Sequence, residues 1–329
     1  MPSFNTMTYE VTGRIARITL NRPTRGNGIT MDMPVELTHC IELANINPDV
    51  HVIALSGNGS GFCGGYDLVE SAQSEGGIGE VNAMRPKGST LDPEVQMRNH
   101  DPRGTWDPML DYAMMSRNVK GFMSLFHSEK PVVCKVHGYC VAGGTDMALC
   151  SDLLVIADNA KIGYPPARVW GCPTTSIWFH RIGLEKAKRL LFTGDCLTGK
   201  QAQEWGLAIE SAPPEQLDER FEALLQRIAL MPVNQLVMMK LLLNQSVMQQ
   251  GLHTTQILGT VFDGITRHTK EGYAFQADAT RNGFMEAVKH RDEPFGDFGL
   301  SAFRGGRIKV AVCQRPCFSF QTVTSLSVC

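Results

Sequence analysis

Two glycine-rich turns constrain this chain more than any other feature. The first, Phe62-Cys-Gly-Gly-Tyr-Asp-Leu68, follows the apolar run 51–56 and the glycine-dense stretch 57–65. The second, His137-Gly-Tyr-Cys-Val-Ala-Gly-Gly-Thr-Asp146, follows the apolar run 131–136 and leads into a short helical stretch at 144–150. Short apolar runs bounded by turn residues read as buried strands. A chain that twice passes from buried strand through a tight glycine turn towards a helix is assembling parallel α/β units.

The rest of the chain fits that class. Alternation around Gly13 predicts a hairpin over 9–20, followed by a helix at 33–45, a helix at 109–126 and another buried strand at 152–157. Segment 71–106 is polar, rich in Gly and Pro and without period, so it reads as one long loop, a length usually tied to function or mobility. Beyond about residue 173 the pattern turns helical, with predicted helices at 215–231, 232–248 and 252–268 punctuated by Pro213, Pro214, Pro232 and Gly251. The boundary between α/β core and helical region is expected between 200 and 215. Residues 305–329 contain no acid and no helical pattern and read as an appended tail.

Composition removes several classes. The 329 residues carry 31 Lys+Arg against 33 Asp+Glu, a net charge of −2, which argues against a nucleic-acid binder that relies on a broad positive field. No run of about 18 apolar residues exists to span a membrane. The opening MPSFNTMTYE has no features of a secretory or transit leader, so a cytoplasmic location is expected. Ten cysteines lie mostly in apolar runs without CxxC or zinc-finger spacing, and buried reduced thiols are expected. The nine histidines show no metal-binding spacing, so no metal site is expected.

Two motif matches fail on context. Gly59–Gly64 satisfies GxGxxG, but a dinucleotide turn needs a helix opening at the motif and a second strand within about 30 residues. Gly194–Gln201 approaches a phosphate loop, but Gln201 stands where Ser or Thr must hold magnesium. His137 sits in a turn, where satisfying local backbone is the more common role. The paired turns themselves offer backbone N–H groups to a ligand, and two such groups on one oxygen form an oxyanion hole. Asp146 lies three residues past Gly143, which in a helix puts its carboxylate on the face of the turn; capping the helix is the equal alternative.

These residues resemble the crotonase (enoyl-CoA hydratase/isomerase) family, and the likeness runs in order from about residue 8 to 298. It includes the hairpin 11–23, the element 193–207 and the closing helix 271–295. The resemblance implies an α/β spiral of ββα turns over 1–205, an α-helical oligomerisation region over 206–298 and a tail, 299–329, outside the fold. It implies a homotrimer or homohexamer and an acyl-CoA thioester substrate, with coenzyme A as its handle and no separate cofactor, metal, nucleic acid or membrane partner. Gly64 and Gly143 would supply the oxyanion-hole N–H groups and Asp146 the acid/base. Arg25, Gly64, Gly65, Tyr66, Asp67, Leu68 and Gly143 would line the coenzyme A site.

The family's hydratases use two glutamates. Asp146 stands at the first position, and Pro166, which carries no proton, at the second. One carboxylate with an oxyanion hole still allows hydratase- or isomerase-like, lyase or hydrolase chemistry through an enolate; the alternative is a catalytically weak coenzyme A binder. Tyr66, Tyr164, Arg168 and Trp170 would reshape the acyl pocket, with core packing the favoured role for Trp170. His100, Asp101 and Asp107 are candidate second proton carriers.

Overall fold

The computed structural model describes residues 4–67 and 85–303. Its strands are β1 (Met7–Thr12), β2 (Ile15–Leu20), β3 (Val52–Gly57), β4 (Val132–Val136), β5 (Tyr139–Val141), β6 (Leu153–Ala157), β7 (Lys161–Gly163), β8 (Cys196–Thr198) and β9 (Glu210–Ala212). The larger sheet runs β1-β2-β3-β4-β6-β9 and the smaller one β5-β7-β8. The β1–β2 pair is the expected hairpin about Gly13, which sits at φ 58°. From β2 onward the larger sheet is parallel.

Parallel strands need cover on both faces, which explains their nearly unbroken apolar character. The first four residues of β3, and Val132, Val133 and Cys134 in β4, are fully or almost fully buried. Helix Met33–Ile46 packs on β1 and β2, and helix Leu217–Ala229 on β2, β3, β6 and β9. The latter buries Leu217, Phe221, Leu225 and Ala229, a four-residue stripe that fits the helical repeat. Each such large side chain removed from water contributes about 1.5–3 kcal/mol.

The spiral arises because the chain turns sharply after β4 and after β6 into the small sheet, to β5 and β7. After β4, Gly138 makes that corner at φ 59°, and a Cβ there would lie 1.9 Å from the Ser60 carbonyl oxygen. The first glycine turn joins the same layer through parallel bridges Cys63–Cys140 and Ile29–Tyr66.

Several expectations change. The stretch 71–106 is not one loop, because it contains helix Pro93–Asn99. Asp92 caps that helix by accepting from the Glu94 N–H at 2.9 Å; a helix so short, flanked by glycine and proline, leaves no periodic trace. The segment 215–231 divides into a 3-10 turn, Pro214–Gln216, and helix Leu217–Ala229. The sheet extends past residue 205, because β9 pairs with β6. The tail begins later than 299: the Cys196 N–H donates to Ser301 O at 2.6 Å, the Phe303 N–H to Cys196 O at 2.8 Å, and the Phe303 ring meets Trp205 edge-on. Seven cysteines in the described residues are free thiols.

Neither motif match finds its context. No helix opens at Gly59–Gly64. Gln201 closes a capping box with Thr198 at the start of helix Gly199–Trp205.

Candidate active site

The two glycine turns meet. Gly65 has φ 99°, and a Cβ on it would sit 2.8 Å from Ala142 Cβ, so only glycine lets the first turn lie against the second. The Tyr66 ring covers Gly143 so closely that a Cβ there would fall 2.8 Å from the ring edge.

The N–H groups left without partners differ from the pair expected from the sequence. Gly64 is unavailable, because its N–H donates to Gly26 O at 2.9 Å. At the neighbouring bridge the Ile29 N–H donates to Gly65 O at 2.8 Å, and the Asp67 N–H to Ile29 O at 3.1 Å. A parallel bridge that uses both backbone groups of Ile29 turns those of Tyr66 the other way. Among the described residues the Tyr66 and Gly143 N–H groups have no hydrogen-bond partner. The Gly143 N–H is aimed by Ala142, a non-glycine residue at φ 55° and ψ −130°. That conformation is held by Ala142 N–H donating to Gly163 O at 3.1 Å, and by the Thr145 hydroxyl donating to Ala142 O at 2.6 Å. Strained backbone costs about 1–3 kcal/mol and persists only where its surroundings over-determine it.

Asp146 is 1% exposed. Its Oδ1 accepts from the Thr175 hydroxyl at 2.8 Å and the Thr175 N–H at 3.3 Å, while Oδ2 has no partner among the described residues. Burial pushes its carboxyl up to about 7; the Thr175 hydrogen bonds oppose that rise, and the charge of Asp263 adds to it. The buried hydroxyls of Tyr66 and Tyr164 feel the same carboxyls, and burial above all pushes both well above the ordinary tyrosine range. The Tyr164 hydroxyl donates to Cys172 O at 2.9 Å.

Sequence reasoning missed Asp263, on helix Leu252–Arg267. It is 8% exposed, accepts from the Cys172 N–H at 3.3 Å, and lies 3.5 Å from the Arg267 guanidinium. Burial raises its carboxyl pKa, against the pull of Arg267. Arg267 also stands 3.2 Å from Asp111, whose Oδ2 accepts from Trp106 Nε1 at 2.8 Å and lies 3.0 Å from His268 Nε2. The rings of His100 and His268 stack with centroids 4.8 Å apart. Nothing in the spacing of 100, 111 and 268 announces this group, whose ligand-type atoms lie within 4.8 Å of one another. With Arg267 supplying its positive charge, the group is a hydrogen-bonded ion network. Burial, followed by Arg267, drops His100 to about 4.

The remaining candidates are engaged elsewhere. Asp101 pairs with Arg103 at 3.0 Å, and Asp107 caps helix Pro108–His127 by accepting from the Met109 N–H at 2.9 Å. His137 Nε2 bonds Gly59 O at 2.8 Å, the local role expected of it. Arg168 is engaged elsewhere: it reaches Asp195 at 3.0 Å, Asp292 at 2.9 Å and Asp297 at 2.7 Å, clamping residues 292–297 to the core. Trp170 packs on Phe275, with centroids 5.1 Å apart. Pro166 lies in the 3-10 turn Pro165–Arg168, against Gly171. Asp67 binds Arg22 at 3.0 Å and Arg25 at 2.8 Å, fixing the half-exposed Arg25 beside the first turn. Leu68 lies outside the described residues.

A parallel sheet, a second layer of short strands and two facing amide turns define an α/β spiral of the crotonase type. A sequence profile of the enoyl-CoA hydratase/isomerase family matches residues 10–90 and 107–288, and the chain belongs to that family of acyl-CoA-processing enzymes. A crystal structure of enoyl-CoA hydratase from Mycobacterium smegmatis superposes with a TM-score of 0.84 at 55% identity, covering 91% of this chain and 97% of that one. EchA13 of Mycobacterium tuberculosis is 27% identical over 316 residues, 92% of this chain and 89% of that protein. An enoyl-CoA hydratase/isomerase structure from Xanthobacter autotrophicus Py2, at 22% identity and TM-score 0.72 over 89% of this chain and 99% of that one, shares the fold.

Proposed function

We propose that this enzyme adds water across the double bond of an enoyl-CoA thioester, with the Tyr66 and Gly143 N–H groups holding the thioester oxygen and Asp146 acting as acid/base. One observation carries the reading: two amides without partners lie on abutting turns, and a buried carboxyl stands three residues beyond one of them. As charge moves onto the thioester oxygen, two preorganised donors stabilise the enolate; removing one such donor typically costs 10²–10³ in rate, or about 3–4 kcal/mol. A carboxyl with a pKa near 7 is matched to proton transfer at neutral pH. The 55% identical hydratase supports hydration over lyase or hydrolase chemistry.

In this reading Gly65, Tyr66, Asp67 and Arg25 flank the coenzyme A moiety, Arg25 being oriented by Asp67. The protein also assembles with itself. Helices Val233–Gln249 and Leu252–Arg267 expose Met238, Leu242, Leu243, Leu258 and Phe262, an apolar face suited to a second copy.

Incubating the protein with a four-carbon trans-2-enoyl-CoA in heavy water tests the activity by mass spectrometry. The expected product has gained one D₂O. Deuterium at carbon without oxygen gain, or no change on enoyl thioesters of any chain length, refutes hydration.

A further inference from the structure

We propose that Asp263 is the second acid/base carboxyl of this site and works with Asp146 on the bound enoyl thioester. This assignment rests on the reading of Asp146 and the two amides given above.

The geometry starts from one short strap of chain, residues 172–176. Thr175 donates twice to Asp146, and Cys172, three residues earlier, donates to Asp263. The strap is fixed from the far side, where Gln256 Nε2 donates to Thr175 O at 3.0 Å. Ser176 closes it at φ 54°. Helix Leu252–Arg267 comes this close because a Cβ on Gly259 would lie only 2.9 Å from Pro173 O. The helical region thus delivers a carboxyl to the α/β core, within the electrostatic field of Asp146, at a site where Pro166 brings no proton carrier.

Charge gives the second argument. Asp111, Asp146 and Asp263 are all buried, and the Arg267 guanidinium stands beside Asp111 and Asp263. Burial lowers the pKa of His100 to about 4 and lowers that of His268 as well. Asp263 shares its one cation with Asp111, and its charge adds to the rise of the buried Asp146 carboxyl, so ionising Asp146 and Asp263 together is costly and the pair holds a proton. One carboxyl and one carboxylate in the same site are an acid and a base. An anchor for the Cys172 N–H requires only a neutral acceptor, and an asparagine there would avoid the like-charge cost.

The chemistry balances without a further reactant. A carboxylate accepts a proton from water while the water oxygen bonds to the β-carbon. The double-bond electrons shift through the α-carbon onto the thioester oxygen. The other carboxyl then gives its proton to the α-carbon as the enolate collapses. H and OH are added, nothing is oxidised, and the two carboxyls reset by proton exchange with solvent.

The groups facing Asp263 are Arg267 on its own helix, Asp111 from helix Pro108–His127, Cys172 on the strap, Asp146, and the two tyrosines. Burial pushes Cys172 to about 12 and both tyrosines well above their ordinary range, and it raises both carboxyls, Asp146 to about 7. The full-length wild type, Asp263→Asn and Asp263→Glu are assayed with a four-carbon trans-2-enoyl-CoA across pH 5–9. Failure of the wild type to add water refutes the hydratase reading itself. With an active wild type, Asp263→Asn is expected to lose roughly 100-fold in kcat, keep KM within about threefold and lose one limb of the pH profile, with Asp263→Glu recovering part of the rate. A loss in kcat below tenfold, or a larger one with both limbs intact, overturns the proposal; the second result marks Asp263 as a positioning residue. Should Asp263→Asn not fold, the wild-type profile decides: two limbs support the pair, and a single limb overturns it.

Discussion

Replacing Asp146 with Asn separates what its charge does for catalysis from what it costs the fold. The side chains are nearly isosteric, and an amide oxygen can still accept the Thr175 hydroxyl proton now held at 2.8 Å. In the wild type the carboxyl titrates near 7 when folded and near 3.8 when free. Between those values the folded state holds a proton that the unfolded state has released, so stability falls as pH rises from about 4 to about 7. A difference of about 3 in pKa, at about 1.4 kcal/mol each, sets a ceiling of roughly 4 kcal/mol; coupling to Asp263 and residual hydration bring the expected cost to roughly 2–4 kcal/mol. The Asn variant carries no such cost. Urea unfolding at pH 5 and pH 8 should therefore show Asp146→Asn gaining on wild type by roughly 2–4 kcal/mol at the higher pH, with the gap closing towards pH 5. Turnover should fall by about 10²–10⁴ at every pH. A gap that does not change with pH would show that the Asp146 charge costs the fold nothing, and a variant that keeps wild-type turnover would remove Asp146 from proton transfer.

Three further outcomes follow from particular contacts. Arg168→Met leaves Asp195, Asp292 and Asp297 without their shared cation, so it should destabilise by about 3–5 kcal/mol in urea unfolding and speed amide exchange around residues 293–303. Gly65→Ala places a side chain at φ 99° and 2.8 Å from Ala142 Cβ; the turns should separate, and turnover should fall by about 10² or more with little change in helix content by circular dichroism. Leu242→Glu, on the 66% exposed apolar position of helix Val233–Gln249, should shift the species seen by sedimentation from oligomer to monomer. An unchanged sedimentation profile would remove that face from the interface.

Much of the architecture is legible in the residues themselves, because buried parallel strands and glycine corners are local signals. The runs at 51–56 and 131–136 become β3 and β4, and Gly138 turns the corner that its position suggests. The site is only partly legible. Asp146 shows itself by its distance from Gly143, but the choice between Gly64 and Tyr66 as donor depends on a bridge to Ile29, nearly forty residues away. Asp263 sits in a helix whose sequence reads as an ordinary amphipathic element, and only the packing of Gly259 on Pro173 brings it to the strap. Arg168 looks like a pocket residue beside Pro166 until the three acids it binds, at 195, 292 and 297, fold back onto it. Local pattern reports which face is buried; it carries no record of which distant group arrives there.

A crystal structure with a saturated acyl-CoA bound would show whether the two amides hold one thioester oxygen beside Asp146. The thioester oxygen should lie within about 2.7–3.1 Å of both the Tyr66 and Gly143 nitrogens, with the α-carbon facing Asp146. A thioester oxygen bound by neither amide, or one that displaces Gly26 O to take the Gly64 N–H, would contradict that arrangement.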